Sequence, residues 1–387
     1  MPIPGKARKR LGVRAVAEVR IIGAGPSGLM AAEVLASAGH SVTIHDRMSS
    51  PARKFLLAGR GGLNLTHSEP LDSFLTRYGD ARGFLEPAIR AFTPADLIGW
   101  ANGLGIETFV GSSGRVFPKQ MKASPLLRAW LRRLDTLGVK LQTRSTWSGF
   151  DGAPTILAMG GASWPHLGSD AGWIPLFREK GIAVHPFKPS NSRFRVDWSP
   201  VFAEKFAGTP VKNVGLSYAG HRVRGEMMIS KDGIEGGAIY ALSRHLRDQP
   251  GAPLLIDLRP DLSEEAVAAK LSRPRGKESL SNYLRKALGL SPVAISLLRE
   301  TGTTPDAKGI KAMALKLGPP ASLDRAISSA GGVAQEELDE HFQLKKAPRT
   351  YCVGEMLDWV APTGGYLLQA CFSTAVMAAR HLAAELA

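Results

Sequence analysis

The chain has 387 residues, 44% of them hydrophobic, enough to bury a substantial core and to build two or more domains. Its 49 Lys and Arg outnumber 34 Asp and Glu, and the formal net charge of +15 attracts polyanions such as nucleic acid as readily as it serves solubility. No apolar run reaches the ~18 residues of a membrane span, and Cys352 and Cys371 lack the spacing of a metal site or a disulfide framework; no membrane, no metal and a reducing, cytoplasmic setting are therefore expected.

Residues 1–16 carry Lys6, Arg8, Lys9, Arg10 and Arg14 with no apolar stretch behind them. That is the pattern of a solvated basic tail, not of a secretory signal. From residue 17 the pattern is α/β. The β-branched run Val19-Arg20-Ile21-Ile22 enters Gly23-Ala24-Gly25-Pro26-Ser27-Gly28 and leaves as the Ala-rich helical segment Leu29-Met30-Ala31-Ala32. Each glycine has its own physical task. Gly23 permits the tight turn, Gly25 lets a pyrophosphate approach the backbone, and Gly28 lets helix and strand pack closely. Pro26 and Ser27 open a helix whose free N–H groups and positive dipole end face the phosphates. Ser41–His45 reads as the next strand. Asp46 ends it, about 20 residues on, where a ribose-binding carboxylate is expected, with Arg47 beside it. A bound dinucleotide is expected.

The loop from Pro51 to His67 is rich in glycine, so its backbone can pass close to a cofactor, while Arg53 or Lys54 offsets phosphate charge. Gly114–Ala123 precedes an amphipathic helix from Pro125 to Leu137, in which Arg128, Arg132 and Arg133 mark a solvated face. Thr155–Leu157 is a buried strand running into Gly160-Gly161, a second place where bare backbone can meet the cofactor. Near Pro186 the composition changes. Residues 190 to about 258 alternate polar and apolar with hairpin turn signals, as in Leu216–Val223. Residues 263 to 317 read as short helices, opened by Ser263 as N-cap with Glu264 and Glu265 in the first turn, and broken at Pro274, Pro292, Pro305 and Pro319-Pro320. Between Lys270 and Lys316, ten Lys or Arg stand against Glu278, Glu300 and Asp306, which makes this segment the candidate phosphate-contacting face. The α/β pattern returns at Ala330–Val333. Tyr351–Asp358 supplies a strand, Gly354 and the carboxylates Glu355 and Asp358, of which Asp358 suits a ribityl hydroxyl. Gly364-Gly365-Tyr366 then opens an apolar helix toward Ala384 whose first N–H groups suit an electron-rich flavin edge.

These motifs in this order (Gly23-x-Gly25-x-x-Gly28, Gly59–Thr66, Gly114–Pro118, Ala158–Gly161, and Gly354-Glu355-x-x-Asp358 followed by Gly364-Gly365-Tyr366) resemble the BaiN/RdsA-type (YhiN-like) flavoproteins. Members are labelled NAD(P)/FAD-dependent oxidoreductases or aminoacetone oxidase-like enzymes. The resemblance spans nearly the whole chain. It implies an α/β fold with a Rossmann-like, glutathione-reductase-type FAD domain split between 17–189 and 330–387. An inserted β-barrel-like domain would occupy 190–260 and 318–329, and a small basic helical domain 261–317. It implies that Gly23, Gly25 and Gly28 hold the pyrophosphate and Asp46 the ribose, while Arg53, Lys54, Gly61 and Asn64 border the cofactor's second side. Gly160, Gly354, Asp358, Gly364 and Gly365 would line the ribityl chain and isoalloxazine, with Gly161, Glu355 and Tyr366 next to them. The chain departs from the family at two places: Leu63 stands where many relatives have cysteine, and Leu368 where they often have asparagine.

For activity, the resemblance implies FAD-dependent reduction of a carbon–carbon double bond by flavin hydride transfer, in steroid-like molecules or in a uridine of large-subunit ribosomal RNA, giving dihydrouridine. The basic helical insert favours ribosomal RNA. The alternatives are a small-molecule oxidase or ene-reductase acting on an amine or enone, and a non-catalytic flavin-containing RNA-binding factor. No second strand–Gly-x-Gly-x-x-Gly–helix unit occurs, so NAD(P)H as electron donor would bind transiently over the flavin. For the catalytic proton donor the sequence offers only His67, beside the glycine loop; Cys371, inside an apolar helix, is a poorer candidate.

Overall fold

Five short parallel strands form the sheet on which the rest is arranged, in the order Thr350–Cys352, Thr155–Leu157, Glu18–Ile22, Ser41–Asp46 and Lys140–Thr143. This computed structural model describes residues 17–387, so the basic tail expected at 1–16 lies outside the described residues. The central strands are apolar, with Val19, Ile21, Val42, Ile44, Ile156 and Leu157 buried, as in a sheet covered by other elements. From the Glu18–Ile22 strand the chain winds outward to Ser41–Asp46 and Lys140–Thr143. It then returns to the opposite side through Thr155–Leu157 and Thr350–Cys352. That reversal opens a crevice at the carboxyl end of Glu18–Ile22.

Two helices close over this sheet: Pro26–Ser37, directly after the first glycines, and Tyr366–Glu385 at the other end of the chain, packed against it. A third, Ala123–Thr136, is the amphipathic helix expected from Pro125, with Leu126, Leu127, Trp130 and Leu134 inward. Glu33 is buried among them at 5% exposure. Its Oε2 accepts the indole N–H groups of Trp100 (3.0 Å) and Trp130 (2.7 Å), and its Oε1 pairs with Arg133 Nε at 2.9 Å. A carboxylate survives there because all its charge is compensated.

The middle of the chain builds a separate apolar core, running from Phe194 to Leu315. Its six-stranded antiparallel sheet has the order Met313–Leu315, Leu254–Asp257, Pro210–Tyr218, His221–Ser230, Gly233–Glu235, Phe194–Arg195. The last strand then meets residues 318–321, through Arg195 N to Pro319 O (3.1 Å) and Ala321 N to Arg193 O (2.8 Å), which carries the sheet round toward closure. Four short helices pack against it: Glu264–Leu271, Leu280–Leu288, Pro292–Glu300 and Ala307–Lys311. Ser263 caps the first, accepting Ala266 N–H at 3.2 Å. The two cores are joined by an antiparallel ribbon of Val184–Ser190 with Ser328–Val333.

At three places the fold departs from the local pattern. Pro292 starts a helix instead of breaking one, as its fixed φ and missing donor suit the first helical position. The run expected to form hairpins contains a 12-residue helix, Gly237–Asp248, whose Ile239, Leu242 and Leu246 pack on the sheet at helical spacing. Met313–Leu315, expected to be helical, is a strand because Leu254–Asp257 offers it an open edge. Among the described residues no helix is long and apolar enough to cross a membrane.

Candidate functional site

The crevice at the strand ends holds about 1180 Å³ of space free of protein atoms, mouth included. Its walls are the segments immediately C-terminal to the parallel strands: Gly23, Gly25 and Ser27 after the first, Asp46, Arg47 and Met48 after the second, Ser145–Trp147, Met159 and Gly160, and finally Val353 and Glu355. These segments sit at carboxyl ends, where an open α/β sheet leaves its backbone groups unpaired, and residues 52–55, 167–173 and Cys371 complete the walls.

The glycine turn has the geometry expected of each position. Gly23 has φ +104°, and a Cβ there would meet Ala158 O at 2.4 Å. At Gly28 a Cβ would lie 1.9 Å from Gly23 O, so only glycine lets helix Pro26–Ser37 sit this close to its strand. Beside Gly25 nothing stands within 4 Å of a Cβ position; that space is open to the crevice. Gly25 is also the helix N-cap, and no side chain caps the helix. Its first amides face the crevice without a protein acceptor, a ready anion site.

Asp46 ties the turn to the second strand. One carboxylate oxygen accepts Ala24 N–H and the other Met48 N–H, both at 2.8 Å, leaving lone pairs on each for a hydroxyl ligand. Of the two cations expected to offset phosphate charge, the fold separates the roles. Lys54 Nζ is committed to Glu355 Oε2 at 2.7 Å and Ser163 Oγ at 2.6 Å. Arg53 lines the crevice with no ion-pair or hydrogen-bond partner among the described residues. Arg47 pairs with Asp170 at 2.8 Å at the rim.

The two ends of the chain meet at Gly354. A Cβ there would lie 2.3 Å from Ser27 Oγ and 3.5 Å from Cys371 Sγ, so the C-terminal helix packs directly on the start of the first. Cys371 thus faces the crevice. Burial first, and the Glu355 carboxylate second, push its thiol up to about 12, so it is a neutral thiol.

Other residues singled out by sequence are placed differently. Gly28 lies under the turn. Gly161 packs against Ser329, and Asp358 accepts His185 Nδ1 at 2.6 Å on the ribbon, away from the crevice lining. Gly364 and Gly365 start helix Tyr366–Glu385 against Thr66, beside the glycine loop that holds Gly61 and Asn64. Tyr366 donates to Glu69 at 2.5 Å. His67 has no nitrogen to spare: Nε2 donates to Ser113 O at 2.9 Å, Nδ1 accepts Glu69 N–H at 3.1 Å, and its ring stacks on Tyr366. That arrangement positions a loop and leaves no proton-transfer atom exposed.

Sequence reasoning passed over Ser145–Trp147 and the Leu167–Trp173 wall. The first could have been found as the segment right after a parallel strand; the second carries no local signal. Two atoms give an independent test of what the site accepts. Ser169 Oγ, in the crevice, and Asn64 Oδ1, in the glycine loop, are buried with no hydrogen-bond partner among the described residues. Buried polar atoms of that kind call for a polar ligand. Open helix amides, an unpaired Arg53, the bare Gly25 face and these orphan acceptors together fit an adenine dinucleotide such as FAD.

Known proteins are similar to this chain along almost its whole length. A family model described as HI0933-like protein Rossmann domain matches residues 17–381. The ribosomal RNA dihydrouridine synthase of Escherichia coli K12 is 25% identical, over 94% of this chain and 97% of its own length. The 3-dehydro-bile acid delta(4,6)-reductase of Clostridium scindens is 26% identical, over 94% and 98%. Among solved structures, a 3-ketosteroid-delta4-(5alpha)-dehydrogenase from Rhodococcus jostii RHA1 aligns with 97% of this chain and 99% of its own, at 15% identity and a TM-score of 0.48.

Proposed function

The chain belongs to the HI0933-like protein Rossmann domain family, and from that premise we propose that it is an FAD-dependent oxidoreductase reducing a carbon–carbon double bond, with a uridine of large-subunit ribosomal RNA as its substrate. The observation that carries the flavin is the crevice itself, with uncapped helix amides, an Arg53 side chain that has no ion-pair partner among the described residues, and the buried, unpartnered Ser169 hydroxyl. The RNA substrate is supported by the net charge of +15 and by the name of the E. coli relative.

In this reading the helix start at Gly25–Ser27 and the Arg53 guanidinium hold the pyrophosphate, and Asp46 takes a ribose hydroxyl. Lys54 and Glu355 clamp the two chain ends under it, and Trp147, Trp173 and Leu176 exclude water from the walls. Bound FAD would supply hydride chemistry that no side chain offers. NAD(P)H is the proposed donor, bound transiently, since no second nucleotide turn is present in the sequence. A target uridine must leave its stack, which costs a few kcal/mol and favours single-stranded or partly assembled RNA. The test is a deletion strain: one dihydrouridine should vanish from the large-subunit RNA and return with the wild-type gene, while an unchanged modification map would remove the RNA reading.

A second reading rests on the bile-acid reductase relative, as similar to this chain as the RNA enzyme. It makes the substrate a steroid-like enone. Faster reoxidation of the reduced protein by an enone panel than by ribosomal RNA would favour it.

A further inference from the structure

A small three-stranded sheet stands outside the parallel one: Thr66–His67, Arg115–Pro118 and the edge strand Thr108–Val110. Val116 and Pro118 point one way and are buried. Phe109 and Phe117 are directly opposed across the strands on the other face, their rings stacked with centroids 5.8 Å apart and 29° between planes. Phe109 is 38% exposed, and neighbouring Met121 37%. An exposed Phe109 on the edge strand, stacked on the half-buried Phe117 of the central strand, does little for the core, and an aggregation-prone edge is normally blunted with charge or proline.

This face adjoins the glycine loop. A Cβ on Gly62 would meet Met121 Cε at 2.7 Å and Phe117 Cε1 at 3.6 Å. The loop is also pinned to the same segment by Leu63 N to Met121 O (2.8 Å) and Leu65 N to Val116 O (2.9 Å). Cations surround it. Lys119 is neutralised by Glu107, but the side chains of Arg60, Arg115 and Lys122 have no ion-pair or hydrogen-bond partner among the described residues. An exposed ring backed by a second and flanked by unpaired cations provides the two elements of a single-strand nucleic-acid platform: bases stack on the ring, and phosphates meet the charges.

We propose that the Phe109–Phe117 face, with Arg60, Arg115 and Lys122, binds the single-stranded RNA flanking the target uridine and so holds that uridine beside the glycine loop. The inference rests on the RNA reading above and deepens it. It places the strand's stacking contact on this sheet, whereas the helices of the middle unit supply only distant phosphate contacts.

The test uses the full FAD-loaded chain and a fluorescein-labelled single-stranded oligouridine, followed by anisotropy across a salt series. Phe109→Ala should weaken binding roughly tenfold with the salt slope unchanged, and Phe109→Tyr should retain it. Arg60→Ser with Lys122→Ser should lower the slope by about 0.7 for each cation removed. Flavin absorbance per chain reports the fold; if Phe109→Ala loses flavin, Phe109→Tyr and the charge variant decide the outcome. Wild-type affinity in Phe109→Ala, with loss in Arg275→Ser/Lys277→Ser instead, would overturn the platform and leave the RNA reading standing. A change from dimer to monomer in Phe109→Ala would make this face a self-contact and also overturn it. Failure of the wild-type protein to bind any oligouridine would overturn both.

Discussion

Lys54 Nζ lies 2.7 Å from Glu355 Oε2, an ion pair that joins residues 301 positions apart across the crevice. Both side chains are largely shielded, at 24% and 17% exposure, so the pair sits between the weak surface case and the costly buried one. Lys54→Met or Glu355→Gln should each lower unfolding stability by about 1–2 kcal/mol and loosen FAD. A double-mutant cycle in urea should show a coupling of about 1 kcal/mol. Additive losses would mean that the two groups do not support each other.

The glycine turn separates packing from ligand access. Gly28→Ala puts a methyl 1.9 Å from backbone, which neither side can yield, and should cost about 2 kcal/mol or more. Gly25→Ala meets nothing within 4 Å and has φ −80°, so the apoprotein should melt within a few degrees of wild type. Its FAD content should nevertheless fall sharply. Calorimetry of the apoproteins and flavin absorbance after desalting distinguish the two.

Stability against pH is shaped by Glu69 and Tyr366. Burial works to raise Glu69, but hydrogen bonds from Arg77 and Tyr366 hold it below its usual value. Its contribution is therefore present above the unfolded-state value near 4.5 and lost as pH falls through the folded one. Tyr366 moves the other way: burial, then Glu69, raise its hydroxyl above the usual 10. Its contribution is complete below pH 10 and lost as pH rises through the folded value. Melting temperature against pH should thus show a flatter acid limb in Arg77→Met and a flatter alkaline limb in Tyr366→Phe. Limbs parallel to wild type would refute the assignment.

The thiols give a simpler measurement. Burial raises both Cys352 and Cys371, the latter up to about 12, and only the thiolate reacts. A disulfide exchange reagent at pH 8 should leave both untouched in the folded holoprotein and titrate both in 6 M guanidinium. Removal of FAD should expose Cys371 first, because it lines the crevice and Cys352 lies inside the sheet.

The turn Gly23–Gly28 and the carboxylate at Asp46 were legible because their demands are local. Positive φ, a missing Cβ and the length of one strand–helix–strand unit are all written within about 25 residues. Ser263 was legible as a cap for the same reason. The helix Gly237–Asp248 was not, since its short apolar repeat lies between strands and only the neighbouring sheet selects the helical period. Nor was the fate of His67, whose ring nitrogens are taken by a turn carbonyl at Ser113 and by the amide of Glu69.

By itself, the amino-acid order determined a Rossmann-like α/β fold, the first glycine turn and the surplus of positive charge, all of which follow from spacing and composition. Only the tertiary structure decided that Lys54 is the clamp while the Arg53 side chain has no ion-pair partner among the described residues, that Asp358 belongs to His185, and that Cys371 faces the crevice. The reason is physical: a side chain's partner depends on which strand ends the winding of the sheet brings together. Here that winding joins positions about 300 residues apart, beyond the reach of any local pattern.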